Sequence, residues 1–141
     1  MTPDPTAPRA LVIEDHPLIV ETVAEIVETL GHTWEEAGTV EEAVAKANCG
    51  SFDYILCDLE LPLSFGRLPN LSHGLALIET LPRMPSCNGA PIIVMTAHSA
   101  TADLVEETKR RGARDFVPKP FPRSGHTLQE AIRLALHRKP N

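Results

Sequence analysis

Short apolar runs alternate with amphipathic segments along the whole chain. ALVIE at 10–14 is too short for a helix and is rich in strand formers, so it reads as a buried strand. Asp15 can then cap a helix, with Pro17 in the first turn where a missing N–H is no loss. Ile19, Val23, Ile26, Val27 and Leu30 follow at helical spacing, and Gly31 supplies the stop. HTWEEA at 32–37 reads as a weaker edge strand. Thr39 with Glu42 forms a capping box for a helix whose stripe is Val40, Ala43, Val44 and Ala47. DYILCD at 53–58 is a second clear strand, GLALIETL at 74–81 a helix ended by Pro82, and PIIVMT at 91–96 the most apolar strand. A helix over 100–111 stops at Gly112, DFV at 115–117 is a short strand, and Thr127 with Glu130 caps a last helix bearing Leu128, Ile132, Leu134 and Leu136.

A strand-then-helix unit thus repeats five times. Such alternation predicts an α/β fold, a parallel sheet with helices on both faces and right-handed crossovers. In sheets of this kind ligands bind beyond the carboxyl ends of the strands. Glu14 and Asp15 end the first strand, Asp58 the third and Thr96 the fourth, and Lys119 follows the fifth. All of them should therefore gather at one edge. Each has an ordinary role when taken alone: Asp15 as a helix cap, Asp58 as a turn residue, Thr96 as a strand-end cap, Lys119 as a solvated lysine. Polar residues at four of the five strand ends are harder to explain that way. Carboxylates about 4 Å apart repel by roughly 4 kcal/mol at an effective dielectric of 20. A hard divalent cation such as Mg²⁺ removes that conflict. Lys119 offers a point charge for a phosphate, and the Thr96 hydroxyl a donor. The set suits transfer of a phosphoryl group to a carboxylate oxygen.

Composition narrows the setting. The 141 residues, 43% hydrophobic and 23% charged, match one globular domain. No run of eighteen apolar residues points to a membrane span, and MTPDPTAPRA lacks the form of a secretory signal; residues 1–8 read as an extended arm. Cys49, Cys57 and Cys87 lack metal-type spacing and point to a reducing, cytoplasmic setting. The net charge of −6 argues against direct nucleic acid binding by this chain. It is uneven: residues 1–100 carry 4 Lys and Arg against 14 Asp and Glu, residues 101–141 carry 9 against 5. The basic C-terminal part is either a solvated surface or a docking face.

VIEDHP, ILCDLELP, VMTAHS and GARDFVPKPF, in that order, resemble the receiver domain of two-component response regulators over residues 9–138, leaving 139–141 as a tail. The resemblance implies a flavodoxin-like (βα)5 fold with strand order 2-1-3-4-5. It implies a phosphorylation-activated switch, not a conventional enzyme, that assists its own phosphorylation and dephosphorylation. Asp58 would be the phosphoacceptor, taking the group from a sensor histidine kinase or a histidine phosphotransfer protein. Asp15 and Asp58 would bind Mg²⁺ directly, Glu14 through water, and Glu60 through its backbone carbonyl. Thr96 would follow the phosphoryl oxygens, Lys119 would ion-pair with them, and Lys119–Pro120 would be cis. Phe116 matches the aromatic switch position, turning inward as Thr96 moves. His98 sits where the family varies its dephosphorylation rate. The partner surface would be the fourth helix, fifth strand and fifth helix, where the positive charge lies, with a homodimer as an alternative assembly. The chain would be a stand-alone receiver or the first part of a longer DNA-binding regulator.

Two stretches depart from the family pattern. Residues 63–73 separate Pro62 from Gly74, about eight more than usual. They are either a tolerated surface loop or a flap that packs its Leu and Phe side chains onto the domain beside Asp58. In PFPRSGHTL, Leu128 lies about two residues later than the family leads one to expect. An aspartate-nucleophile phosphatase would use the same residue types, but DLELP has Glu60 and Pro62 where its motif needs Asp and Thr or Val. A flavin carrier would need a hydroxyl-rich phosphate loop, which EDHPLI is not.

Overall fold

The computed structural model describes residues 6–87, 89–97 and 101–137. Strands β1 (Arg9–Ile13), β2 (Thr33–Ala37), β3 (Tyr54–Asp58), β4 (Ile92–Thr96) and β5 (Asp115–Pro118) form one parallel sheet in the order β2-β1-β3-β4-β5. Helices α1 (Pro17–Thr29), α2 (Val40–Cys49), α3 (Leu71–Thr80), α4 (Ala102–Arg110) and α5 (Leu128–His137) connect or follow the strands. The α/β, flavodoxin-like expectation is met.

Strand side chains alternate between two cores. Leu11, Ile13, Ile55, Cys57, Ile92 and Val94 face α2, α3 and α4. Ala10, Val12, Tyr54, Leu56, Ile93 and Met95 face α1 and α5. Burial on both sides explains why the central strands are continuous apolar runs with no polar alternation. Edge strand β2 is the exception: its Glu35 pairs with Arg9 and, at 3.4 Å, with Lys46.

The helix boundaries follow from backbone groups that need partners. Helix α1 is capped by His16, whose side chain makes no capping bond, so Asp15 is not the cap. Pro17, at the start of the helix, needs no partner for an N–H, which lessens the need for a side-chain cap. The helix ends in a Schellman arrangement. Gly31 N–H donates to Glu28 O at 2.9 Å and His32 N–H to Val27 O at 3.1 Å, with Gly31 at φ +83°. The capping hydroxyls of Thr39 and Thr127 accept from Glu42 N–H and Glu130 N–H as expected. Thr101, not singled out from sequence, caps α4 in the same way. On α5, Leu128 and Ile132 are buried, but Leu134 is exposed and Ala131 and Ala135 take the core side.

Helix α3 begins three residues before Gly74. Asn70 is its cap, accepting from the Ser72 N–H at 2.9 Å. Residues 71–73 are therefore an added helical turn, and the loop proper runs from Leu59 to Asn70. Gly74 sits inside the helix against the backbone of Leu59. A Cβ there would lie 2.3 Å from the Leu59 Cα. Its N–H donates to Leu59 O.

The loop is tied at its base. Leu61 is buried and bridges Asn70. His73 Nδ1 bonds Leu61 O at 2.5 Å. The carbonyls of Pro62 and Leu63 accept from the Val40 and Glu41 N–H groups at 3.0 Å each, satisfying two donors at the start of α2. The flap expectation fails further out: Phe65 and Leu68 are 83% and 86% exposed. The base uses its backbone on α2, and the tip closes on itself through Arg67 N–H to Ser64 O. Of Leu63, Phe65, Leu68 and Leu71, Leu71 alone packs against the core.

Candidate functional site

Parallel register brings the carboxyl ends of β1, β3, β4 and β5 to one edge. Asp58 lies beside Met95, and Thr96 beside Pro118. The Lys119 N–H donates to Thr96 O at 2.8 Å, fixing the residue after β5 against the end of β4. The Lys119–Pro120 peptide is cis.

Neighbouring residues Glu14 and Asp15 differ sharply in environment. Glu14 is 2% exposed, whereas Asp15 is open to solvent. Both Glu14 oxygens have partners: Oε1 accepts from Lys119 Nζ at 2.6 Å, and Oε2 from the His16 N–H at 3.2 Å. Asp58 is 3% exposed, and its Oδ1 lies 3.2 Å from Lys119 Nζ and 3.3 Å from the Glu60 nitrogen, which donates to it. These groups line a cleft of about 430 Å³, walled by His16, Ile19, Pro69, Ala97 and Pro120.

Burial, and next the charge of Glu14, push the Asp58 carboxyl up to about 7, against the pull of Lys119. Burial and Glu14 likewise raise Asp15. Burial works to lower Lys119, but its bonds and charge interactions with Glu14 and Asp58 outweigh it, and its pKa is raised. Cys57 beneath the site is driven upward chiefly by burial and is an inert thiol packed in the core.

Three carboxylates are more than one lysine balances. One oxygen each from Glu14, Asp15 and Asp58 falls within 4.8 Å of the others. Ligands on opposite sides of a Mg²⁺ ion stand about 4.2 Å apart, so the spread fits a hard divalent cation and its waters. Glu14, with both oxygens engaged, suits a contact through water; Asp15 and Asp58 suit direct ligation.

The structure thus brings together Glu14, Asp15, Asp58, Glu60 and Lys119, with Thr96 fully enclosed at the adjacent strand end. Phe116 is 8% exposed and belongs to the core on the α2, α3 and α4 side, so its ring already lies inward. His98 lies outside the described residues. Ile19 and Pro69, which wall the cleft, were not legible as site residues: one reads as helix stripe, the other as loop punctuation. Among the described residues no helix is long and apolar enough to cross a membrane.

Comparison with known proteins agrees with this geometry. The transcriptional regulatory protein PdtaR of Mycobacterium tuberculosis is 34% identical over 131 residues, covering 92% of this chain and 57% of that protein. Several other curated relatives are spanned to a smaller extent still. A CheY-like response regulator receiver domain protein from Methanospirillum hungatei superposes with a TM-score of 0.77 at 25% identity, covering 95% of this chain and 97% of that one. A response regulator protein from Burkholderia pseudomallei, holding a phosphorylated aspartic acid, a calcium ion and citrate, gives 0.69 at 28% identity, over 92% of this chain and 66% of that one. The response regulator receiver domain family matches residues 10–133, and the chain belongs to that family.

Proposed function

We propose that Asp58 accepts a phosphoryl group from a protein phosphohistidine, in a reaction that requires Mg²⁺. The observation that carries this reading is the single lysine, Lys119, set within 3.2 Å of two enclosed carboxylates beside a third. In the reaction the P–N bond of the donor breaks, its electron pair returns to the imidazole, and a P–O bond forms to an Asp58 oxygen. Bound Mg²⁺ supplies positive charge for the phosphoryl oxygens. Asp15 and Asp58 would hold the ion directly, Glu14 through water and Glu60 through its backbone carbonyl. Lys119, released from part of its contact with Asp58, pairs with a phosphoryl oxygen while Glu14 keeps it in place. Thr96 donates its hydroxyl to another.

Phosphorylation adds charge and strong acceptors at the floor of the cleft. Drawing Thr96 toward them alters the packing around Phe116, and with it the surface of α4, β5 and α5. The positive excess of residues 101–141 lies in the connections around these elements, at Arg111, Arg114, Lys119 and Arg123, and in the last residues rather than in the elements themselves; the surface they form is the face offered to a downstream protein. His98 tunes the lifetime of the phosphorylated form. A second reading, the receiver part of a longer transcriptional regulator, is favoured by the relative PdtaR, of which this chain spans just over half.

Acetyl phosphate with Mg²⁺, followed by intact mass, tests the assignment. The expected result is one added phosphoryl group on the wild-type chain and none on Asp58→Asn. Equal labelling of both would sink it.

A further inference from the structure

Among the described residues five large apolar side chains are exposed: Leu18, Leu63, Phe65, Leu68 and Leu134. Four of the five lie on the two segments that frame the mouth of the cleft. Leu18 precedes the cleft-lining Ile19 on α1, and Leu68 precedes the cleft-lining Pro69. Leu18 is 66% exposed. Single exposed apolar residues are ordinary, but a cluster at one cleft marks an interaction surface.

The presentation of these side chains points the same way. The loop is held at its base by the Leu61–Asn70 bridge and by the first turn of α2, and the Ser64–Arg67 turn closes its tip. An anchored base with an unburied apolar tip keeps Phe65 and Leu68 in water, where a partner can reach them. Because the backbone is already ordered, little freedom is lost when one binds.

The cleft itself selects the occupant. Asp58 lines it together with Asp15, His16 and Ile19 from the start of α1 and with Pro69, so a group that reaches the carboxylate meets both segments. A phosphohistidine carried on a protein brings its surrounding surface down onto that rim. Beside the polar Asp15, His16 and Glu60, the cleft has apolar walls in Ile19, Pro69, Ala97 and Pro120, and Arg67 is the cation of the loop tip. We infer that Phe65 and Leu68 of the inserted loop extend the recognition surface for the phosphodonor protein. They receive an apolar face around its phosphohistidine, and the inserted loop discriminates among donors. The inference rests on Asp58 as phosphoacceptor, with the bond changes given above.

The test compares two donors on the same variant. Phe65→Ser/Leu68→Ser changes only exposed side chains. The probes are acetyl phosphate with Mg²⁺, and the autophosphorylated histidine kinases of the host genome, screened as a purified panel. The variant should label with acetyl phosphate within twofold of wild type, yet accept from the fastest kinase at least tenfold more slowly. Unchanged transfer from that kinase overturns the inference, as does failure of every kinase to label a wild-type chain that acetyl phosphate labels. A concentration-dependent dimer abolished by the double variant, with transfer intact, overturns it in favour of self-association. No labelling of the wild type by acetyl phosphate would instead bring down the phosphoacceptor assignment.

Discussion

Lys119 places its ammonium 2.6 Å from the Glu14 carboxylate across 105 residues of sequence, and both side chains are almost fully enclosed. Removing one member of such a pair strands the other as a buried, unbalanced charge, which typically costs about 3–5 kcal/mol. Lys119→Met is therefore expected to lower stability by about 3 kcal/mol at pH 8 without Mg²⁺. Urea unfolding measures this. The loss should shrink when Mg²⁺ is added, because the ion takes over part of the balancing.

Asp58 leads to the opposite expectation. Its carboxyl is pushed up to about 7 in the folded chain by burial and then by Glu14, from an ordinary value of 3.8. The folded state thus holds a proton that the unfolded chain gives up first. The penalty is absent below the unfolded value, grows as pH rises between the two, and is complete above about 7. Without Mg²⁺, Asp58→Asn should stabilise the protein by about 1–3 kcal/mol at pH 8 and by much less at pH 5. In the wild type, Mg²⁺ should raise Tm more at pH 8 than at pH 5.5. Equal shifts in thermal melts at the two pH values would contradict this account.

Gly74 is expected to be intolerant of any side chain. Its missing Cβ would collide with backbone atoms of Leu59, which cannot swing aside as a side-chain end can. Overpacking of this kind costs about 1–3 kcal/mol and more where backbone must move. Gly74→Ala should fall at or above the top of that range in urea melts, and a loss under 1 kcal/mol would show that α3 can slide away.

Thr39→Ala should cost about 1 kcal/mol, with Thr39→Ser restoring most of it. The loss stays small because only the Glu42 N–H loses a partner; the loop carbonyls still serve Val40 and Glu41. Thermal melts of the two variants measure the difference.

Sequence pattern carried the strands well, because each central strand is an unbroken apolar run flanked by turn residues. It also carried the gathering of Glu14, Asp15, Asp58, Thr96 and Lys119, because parallel alternation alone sends strand ends to one edge. It did not carry the start of α3. Asn70 is followed by Leu, Ser and His, which break the apolar stripe, and the glycine four residues on looks like an opening when it is a point of close contact. It did not tell that Glu14 would be enclosed and Asp15 open, since adjacent residues leaving a strand turn to different sides. Nor did it show the loop seated on α2, because those bonds join carbonyls to N–H groups and are indifferent to side-chain type.

That seating couples the loop to α2 through backbone groups. In the first turn of α2 the Val40 and Glu41 amide protons keep their partners only while Pro62 and Leu63 stay in place. Those two residues follow Asp58 by four and five positions. Deuterium uptake at Val40 and Glu41 is thus a built-in gauge of the loop. A ligand that grips the tip should slow it, and one that pulls the tip outward should unlatch the helix end and speed it.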